Sequence, residues 1–224
     1  MRVLSDSDYK LFERLVSLSQ KELKKAMSQY LKAKYNNVIF TKDYLVAIGD
    51  IPVALVAHLD TVYRTPVSNL YYDQRKGVLW SPDGLGADDR AGIFAVLKIL
   101  QDGYRPSVIF TTDEEIGMIG ATKLDTSVLT GKKMINIDSE EDDTMTVSCA
   151  GGSDFKVFFN FQREPVTGTA IELTLKGLQG GHSGIEIDKG RVNSNILMGR
   201  ILFHMEKEQS FDIINVCGGD KDNV

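Results

Sequence analysis

Apolar side chains recur at helical spacing between residues 8 and 34. Leu11, Phe12, Leu15 and Val16 make one stripe, and Leu23, Met27 and Leu31 extend it at i, i+4 spacing. Ser19 followed by Glu22 has the form of a capping box, which predicts two helices with a break near residues 17–19. Short β-like runs follow. Residues 38–41 and 44–48 flank Lys42-Asp43 as a hairpin, and 70–72 and 78–80 suggest a second one. Residues 53–57, 107–110 and 134–137 are continuous apolar runs, the pattern of strands covered on both faces. A helix is expected over 90–102, stopped by Gly103, and a short one over 117–124. Strands alternating with helices predict an α/β fold with a mostly parallel or mixed sheet.

After about residue 150 the pattern changes. Residues 155–161, 171–176 and 211–216 read as strands with one exposed face. Residues 193–209 read as an amphipathic helix carrying Leu197, Ile201 and Met205 on one side. The expectation is a core over residues 1–150 and part of a smaller α+β unit over 151–224, hinged at Gly151-Gly152.

Composition narrows the classes. The chain has 224 residues, 42% of them apolar and 25% charged, so it can bury a core without disulfide staples. The net charge of −5 and the lack of a Lys/Arg cluster argue against nucleic acid as a partner. No apolar run reaches the ~20 residues that span a bilayer, and residues 1–19 lack the apolar stretch of a signal peptide. Two distant cysteines, Cys149 and Cys217, suggest neither a disulfide scaffold nor a zinc ribbon. The location expected is the cytoplasm.

The chemistry sits after the buried runs. The first ends in His58-Leu59-Asp60, the second in Thr111-Thr112-Asp113-Glu114-Glu115 and the third in Asp138; Asp88-Asp89 precede a helix. Taken singly, each has an ordinary role: helix cap, first-turn acid, buried structural imidazole, solvated acidic loop. In an open α/β sheet, however, ligands bind at the carboxyl ends of the strands. Carboxylates crowded at one such edge repel one another unless a cation joins them. Carboxylates with one imidazole suit zinc, with cobalt or manganese as alternatives, and four segments supply donors for two ions.

The segments "AHLDTV" (57–62), "GLGADDRAG" (84–92), "TTDEEIGMIGA" (111–121) and "INIDSEE" (135–141) resemble the zinc-dependent dipeptidase, tripeptidase and aminoacylase family that includes carboxypeptidase G. Within it, "SCAGGSDF" (148–155) and "GLQGGHSGIEIDKGRVNSN" (177–195) are most similar to the Xaa-His dipeptidase branch. The resemblance covers roughly residues 50–224, with the motifs in the family's order. It implies a zinc-exopeptidase-like core with part of a lid or dimerisation domain. It assigns His58 and Asp138 to a first metal, Asp88 as the bridge between two metals, and Glu115 to the second. It makes Asp60 the acid that orients His58 and Glu114 the general base. It makes His182 the histidine that steadies the tetrahedral intermediate. The implied reaction is hydrolysis of short peptides, Xaa-His dipeptides first, by a two-zinc mechanism. The runners-up are a tripeptidase, an N-acyl amino acid hydrolase, and an impaired metal- or peptide-binding relative.

The pattern departs from the family at its end. A further histidine that completes the second metal site comes, in the family, from a segment after the smaller domain. Of the three histidines here, His58 and His182 are assigned and His204 sits in the expected amphipathic helix. The second metal is therefore expected to bind weakly. The chain is expected to be a fragment, a naturally short version, or one that draws the missing segment from a partner chain; a homodimer through 151–224 is a further expected partnership.

Overall fold

Ser5 and Ser19 each start a helix. In the computed structural model, the Ser5 hydroxyl accepts the Asp8 N–H and opens α1 (Asp6–Val16). Ser19 and Glu22 complete the capping box that opens α2 (Gln20–Lys32), so the predicted break is real. The structure describes residues 4–63, 65–139, 141, 143–149, 151, 155–181 and 186–218. The chain divides into two units, Met1–Cys149 and Ala150–Val224.

The first unit is a mixed sheet with helices on one face. After α2 come β1 (Asn37–Phe40), β2 (Tyr44–Ile48) and β3 (Ile51–His58). A separate two-stranded ribbon, β4 (Tyr71–Asp73) and β5 (Val78–Trp80), stacks Tyr71 on Trp80 at 4.9 Å. Then follow α3 (Ala87–Gln101), β6 (Pro106–Thr111), the single turn α4 (Ile119–Thr122) and β7 (Lys133–Asn136). The sheet order is β1-β2-β6-β3-β7. β3, β6 and β7 run parallel, and β1 and β2 make an antiparallel hairpin beside β6. Leu15, Leu23, Leu31, Leu55, Ile93, Leu100, Val108 and Phe110 pack the helix-covered face. On the other face Val46, Ala54 and Ile109 meet Leu124, Val128 and Leu129.

Two expectations fail. β7 forms where predicted but is not buried: Met134 is 65% and Ile135 48% exposed. Among the described residues it is an edge strand bonded only to β3, so an apolar run identified the strand but not its cover. In the second unit, 155–161, 171–176 and 211–216 form no strands among the described residues. Phe155, Phe158, Phe159, Phe161 and Ile171 are all exposed there. Alternation prepares a face for burial, but a strand also needs a neighbouring ladder, and none is present among the described residues. The predicted helix does form, as α5 (Ser194–Glu208), with the Asn193 side chain accepting the Asn195 and Ile196 N–H groups. None of its side chains is buried.

Candidate metal centre

The parallel strands deliver their carboxyl ends to one edge. His58 ends β3 in register with Thr111, the last residue of β6, and the Leu59 N–H donates to the Thr111 carbonyl at 2.8 Å. One strand over, the Ile137 N–H donates to the Val56 carbonyl, which draws Asp138 level with His58. The fourth contribution comes from the start of α3. Gly86 is left-handed there, Asp88 and Asp89 have non-helical backbone angles, and the peptide bond between them is cis.

Asp89 turns inward. Its buried carboxylate accepts the His58 N–H at 3.2 Å and the Gly92 N–H at 2.9 Å. A Cβ at residue 92 would overlap that carboxylate and make it shift. Asp88, on the neighbouring residue, faces the imidazole instead.

His58 is 3% exposed and has an acid on each ring nitrogen. Nδ1 lies 3.3 Å from Asp60 Oδ1; Nε2 lies 2.8 Å from Asp88 Oδ1 and 4.0 Å from Asp138 Oδ2. The other Asp60 oxygen accepts the Glu115 N–H at 3.0 Å. One ligand atom from each of His58, Asp88 and Glu115 lies within 4.8 Å of the others. Glu115 Oε1 is buried with no hydrogen-bond partner among the described residues.

The charges are under strain. Burial alone would lower the His58 pKa, but hydrogen bonds to Asp60 and Asp88 outweigh it and lift it to about 9. Burial opposes ionisation of Asp60, yet its bonds to His58 and to backbone N–H groups hold it below the usual carboxylate range. Glu114 and Glu115 are pushed up, first by burial and then by neighbouring carboxylates. Asp89 rises to about 7, from burial and the nearby Asp138. A divalent cation would relieve the repulsion among these carboxylates. The residues fit a divalent ion: an imidazole whose Nδ1 is taken by Asp60 presents Nε2, three carboxylates face it, and one buried carboxylate oxygen has no partner among the described residues. Nitrogen with carboxylate oxygen suits zinc, cobalt or manganese.

Of the residues singled out in the sequence, the structure thus brings together His58, Asp60, Asp88, Glu115 and Asp138, with Glu114 beside Glu115. His182 lies outside the described residues. His204 is exposed on α5, in the other unit. Sequence reasoning missed the part of Asp89; its signal was an acid three residues before a glycine at a helix start.

No protein-family model matches the chain. The chain is homologous to a dipeptidase. Over 188 residues it is 36% identical to the cytosol non-specific dipeptidase of Escherichia coli strain K12, a match covering 77% of this chain and 39% of that protein. Among solved structures, it resembles a tripeptidase from Staphylococcus aureus with a TM-score of 0.52 and 22% identity, over 63% of this chain and 45% of that one. Aminopeptidase PepT from Bacillus cereus aligns at a TM-score of 0.49 and 19% identity, over 62% and 44%. The chain spans less than half the length of each relative. The tripeptidase likeness shows the fold: a mixed α/β core with a mixed sheet. No helix among the described residues is long and apolar enough to cross a membrane.

Proposed function

We propose that this chain carries the metal-binding catalytic core of a peptidase that hydrolyses short peptides. The observation that carries the reading is the convergence of His58, Asp88 and Glu115 at the carboxyl edge of the sheet, in a homologue of a dipeptidase. Residues 1–150 are the metallopeptidase-like core, and 151–224 belong to a lid or dimerisation domain. The relative bears the name of a non-specific dipeptidase, so Xaa-His dipeptides stand as one substrate among dipeptides.

His58, Asp88 and Asp138 would hold one ion, zinc by preference, and Asp88 with Glu115 would be the residues to hold a second. A bound divalent ion supplies Lewis acidity, polarising an amide carbonyl and making water more acidic. Asp60 fixes the imidazole through Nδ1 and leaves Nε2 for the ion. Glu114, beside the ligands, takes a proton from the attacking water and delivers it to the leaving amine. The resemblance further assigns support of the developing oxyanion to His182, which lies outside the described residues.

The test combines zinc calorimetry with dipeptide hydrolysis. Wild type is expected to bind zinc and His58→Ala to lose it. Glu114→Gln is expected to keep the zinc and to cut whatever turnover the zinc-loaded chain shows by ~10²-fold or more. A chain that binds no zinc overturns the reading. Loss of zinc in Glu114→Gln would exchange the parts of Glu114 and Glu115.

A further inference from the structure

The loop that presents Glu114 and Glu115 is held from two sides, and only one belongs to the site. On the site side, Asp60 accepts the Glu115 N–H at 3.0 Å. On the far side is Gln20, the first residue of α2, 93 positions away in sequence. Its side-chain amide makes a reciprocal pair with one residue: Nε2 donates to Asp113 Oδ1 at 2.9 Å, and Oε1 accepts the Asp113 N–H at 3.1 Å. Asp113 immediately precedes Glu114 and has φ +56°, the left-handed region that non-glycine residues seldom occupy without local support.

The rest of the loop is built on that residue. The Ile119 N–H returns to the Asp113 carbonyl at 3.0 Å, and the Gly117 and Met118 N–H groups both reach the Glu114 carbonyl. The end of α2 that carries Gln20 is itself fixed. The Ser19–Glu22 capping box sets the helix start. One turn on, the buried Lys24 donates Nζ to the Thr41 and Lys42 carbonyls at 2.8 and 2.6 Å. The adjacent Asp43 carbonyl accepts both the N–H and the hydroxyl of Thr112. Helix start, hairpin turn and loop therefore form one frame, and Gln20 is the member that grips the residue before Glu114.

We propose that Gln20 is a positioning residue: by clamping Asp113 it fixes the backbone from which Glu114 and Glu115 project toward His58. It touches neither substrate nor ion. Its functional consequence rests on the peptidase reading above, whereas the clamp itself does not.

The experiment uses the 224-residue chain. Wild type, Gln20→Ala, Gln20→Glu, Asp113→Asn and the double variant Gln20→Glu/Asp113→Asn are compared by NMR amide exchange. The concentration of added zinc that half-shifts the Glu115 amide signal is measured in parallel. Gln20→Glu sets a carboxylate against the Asp113 carboxylate. Adding Asp113→Asn restores a donor–acceptor pair, while Asp113→Asn alone keeps an oxygen for Gln20 to donate to.

Gln20→Ala and Gln20→Glu should speed exchange at the Glu115 and Ile119 amides about tenfold and leave β3 and β6 unchanged. The half-shift zinc concentration should rise ~10-fold, the lower end for partners that orient ligands. The double variant should recover both values, a rescue that a general loss of stability would not give. Should Gln20→Ala fail to fold, Gln20→Glu with and without Asp113→Asn decides the matter. Unchanged exchange in both Gln20 variants, or no recovery in the double variant, overturns the clamp. A wild-type chain that ignores zinc overturns the peptidase reading instead and leaves the exchange result to judge Gln20.

Discussion

Asp60 serves two elements with one carboxylate: one oxygen faces His58 Nδ1 and the other receives the Glu115 N–H. An asparagine keeps the size but has one acceptor oxygen, so its NH2 must face a donor on one side. Asp60→Asn should therefore weaken zinc binding by roughly 10–100-fold with an unchanged circular dichroism spectrum. A competitive zinc titration measures it, and wild-type affinity would mean that Asp60 does not orient the imidazole. The acids and the imidazole were legible in the sequence because each follows a strand or opens a helix. Asp89 was not, since an acid at a helix start reads as a cap. Its task depends on a turn that only coordinates show, with His58 and Gly92 as its donors. Gly92→Ala puts a methyl group into the Asp89 carboxylate. Such overpacking costs about 1–3 kcal/mol. Urea unfolding should register that loss, and full retention of stability would show that the carboxylate has room to move.

At the scale of elements, the sequence was most readable where a local signal and a burial partner coincide. Ser19 and Glu22 broke the long helical stripe where the structure breaks it. β2, β3 and β6 form at the predicted runs because each has a neighbour on both edges. β7 and the second unit were less readable, since an apolar run does not reveal what covers it. The join between α2 and the sheet offers a clean test. Tyr35, three residues past the helix, is buried and donates its hydroxyl to the Pro106 carbonyl at the start of β6, at 2.7 Å. Burial pushes its pKa from 10 to about 12. The folded state therefore holds the phenolic proton in a range where the unfolded chain has released it. The stability is fully present below pH 10 and is lost as the pH rises from 10 to 12. Tyr35→Phe should cost about 1 kcal/mol at neutral pH from the lost hydrogen bond. It should also flatten the alkaline decline. Urea midpoints at pH 8 and ~11 compare the two proteins, and an equally steep decline in the phenylalanine variant would place the titration elsewhere.

At the scale of the molecule, the donor count decides what the chain can do. In the proposed reading a first ion would draw on His58, Asp88 and Asp138, three side chains, the number of protein ligands that catalytic zinc favours. A second would have Asp88 and Glu115, and an acid shared between two ions would not replace an imidazole. Of the remaining histidines, His204 is exposed on α5 and belongs to the other unit, and His182 lies outside the described residues. The match covers 39% of the length of its dipeptidase homologue. The expected behaviour is one tightly held zinc, a second that is weak or absent, and little hydrolysis of dipeptides by the chain alone. Calorimetric titration gives the stoichiometry, and dipeptide hydrolysis on the same samples gives the activity. Two tight sites with brisk turnover would overturn that expectation and point to a further donor. His204→Ala and His182→Ala would then show whether it is one of these histidines, through loss of the second zinc. If neither variant loses it, a histidine is not what holds the second ion.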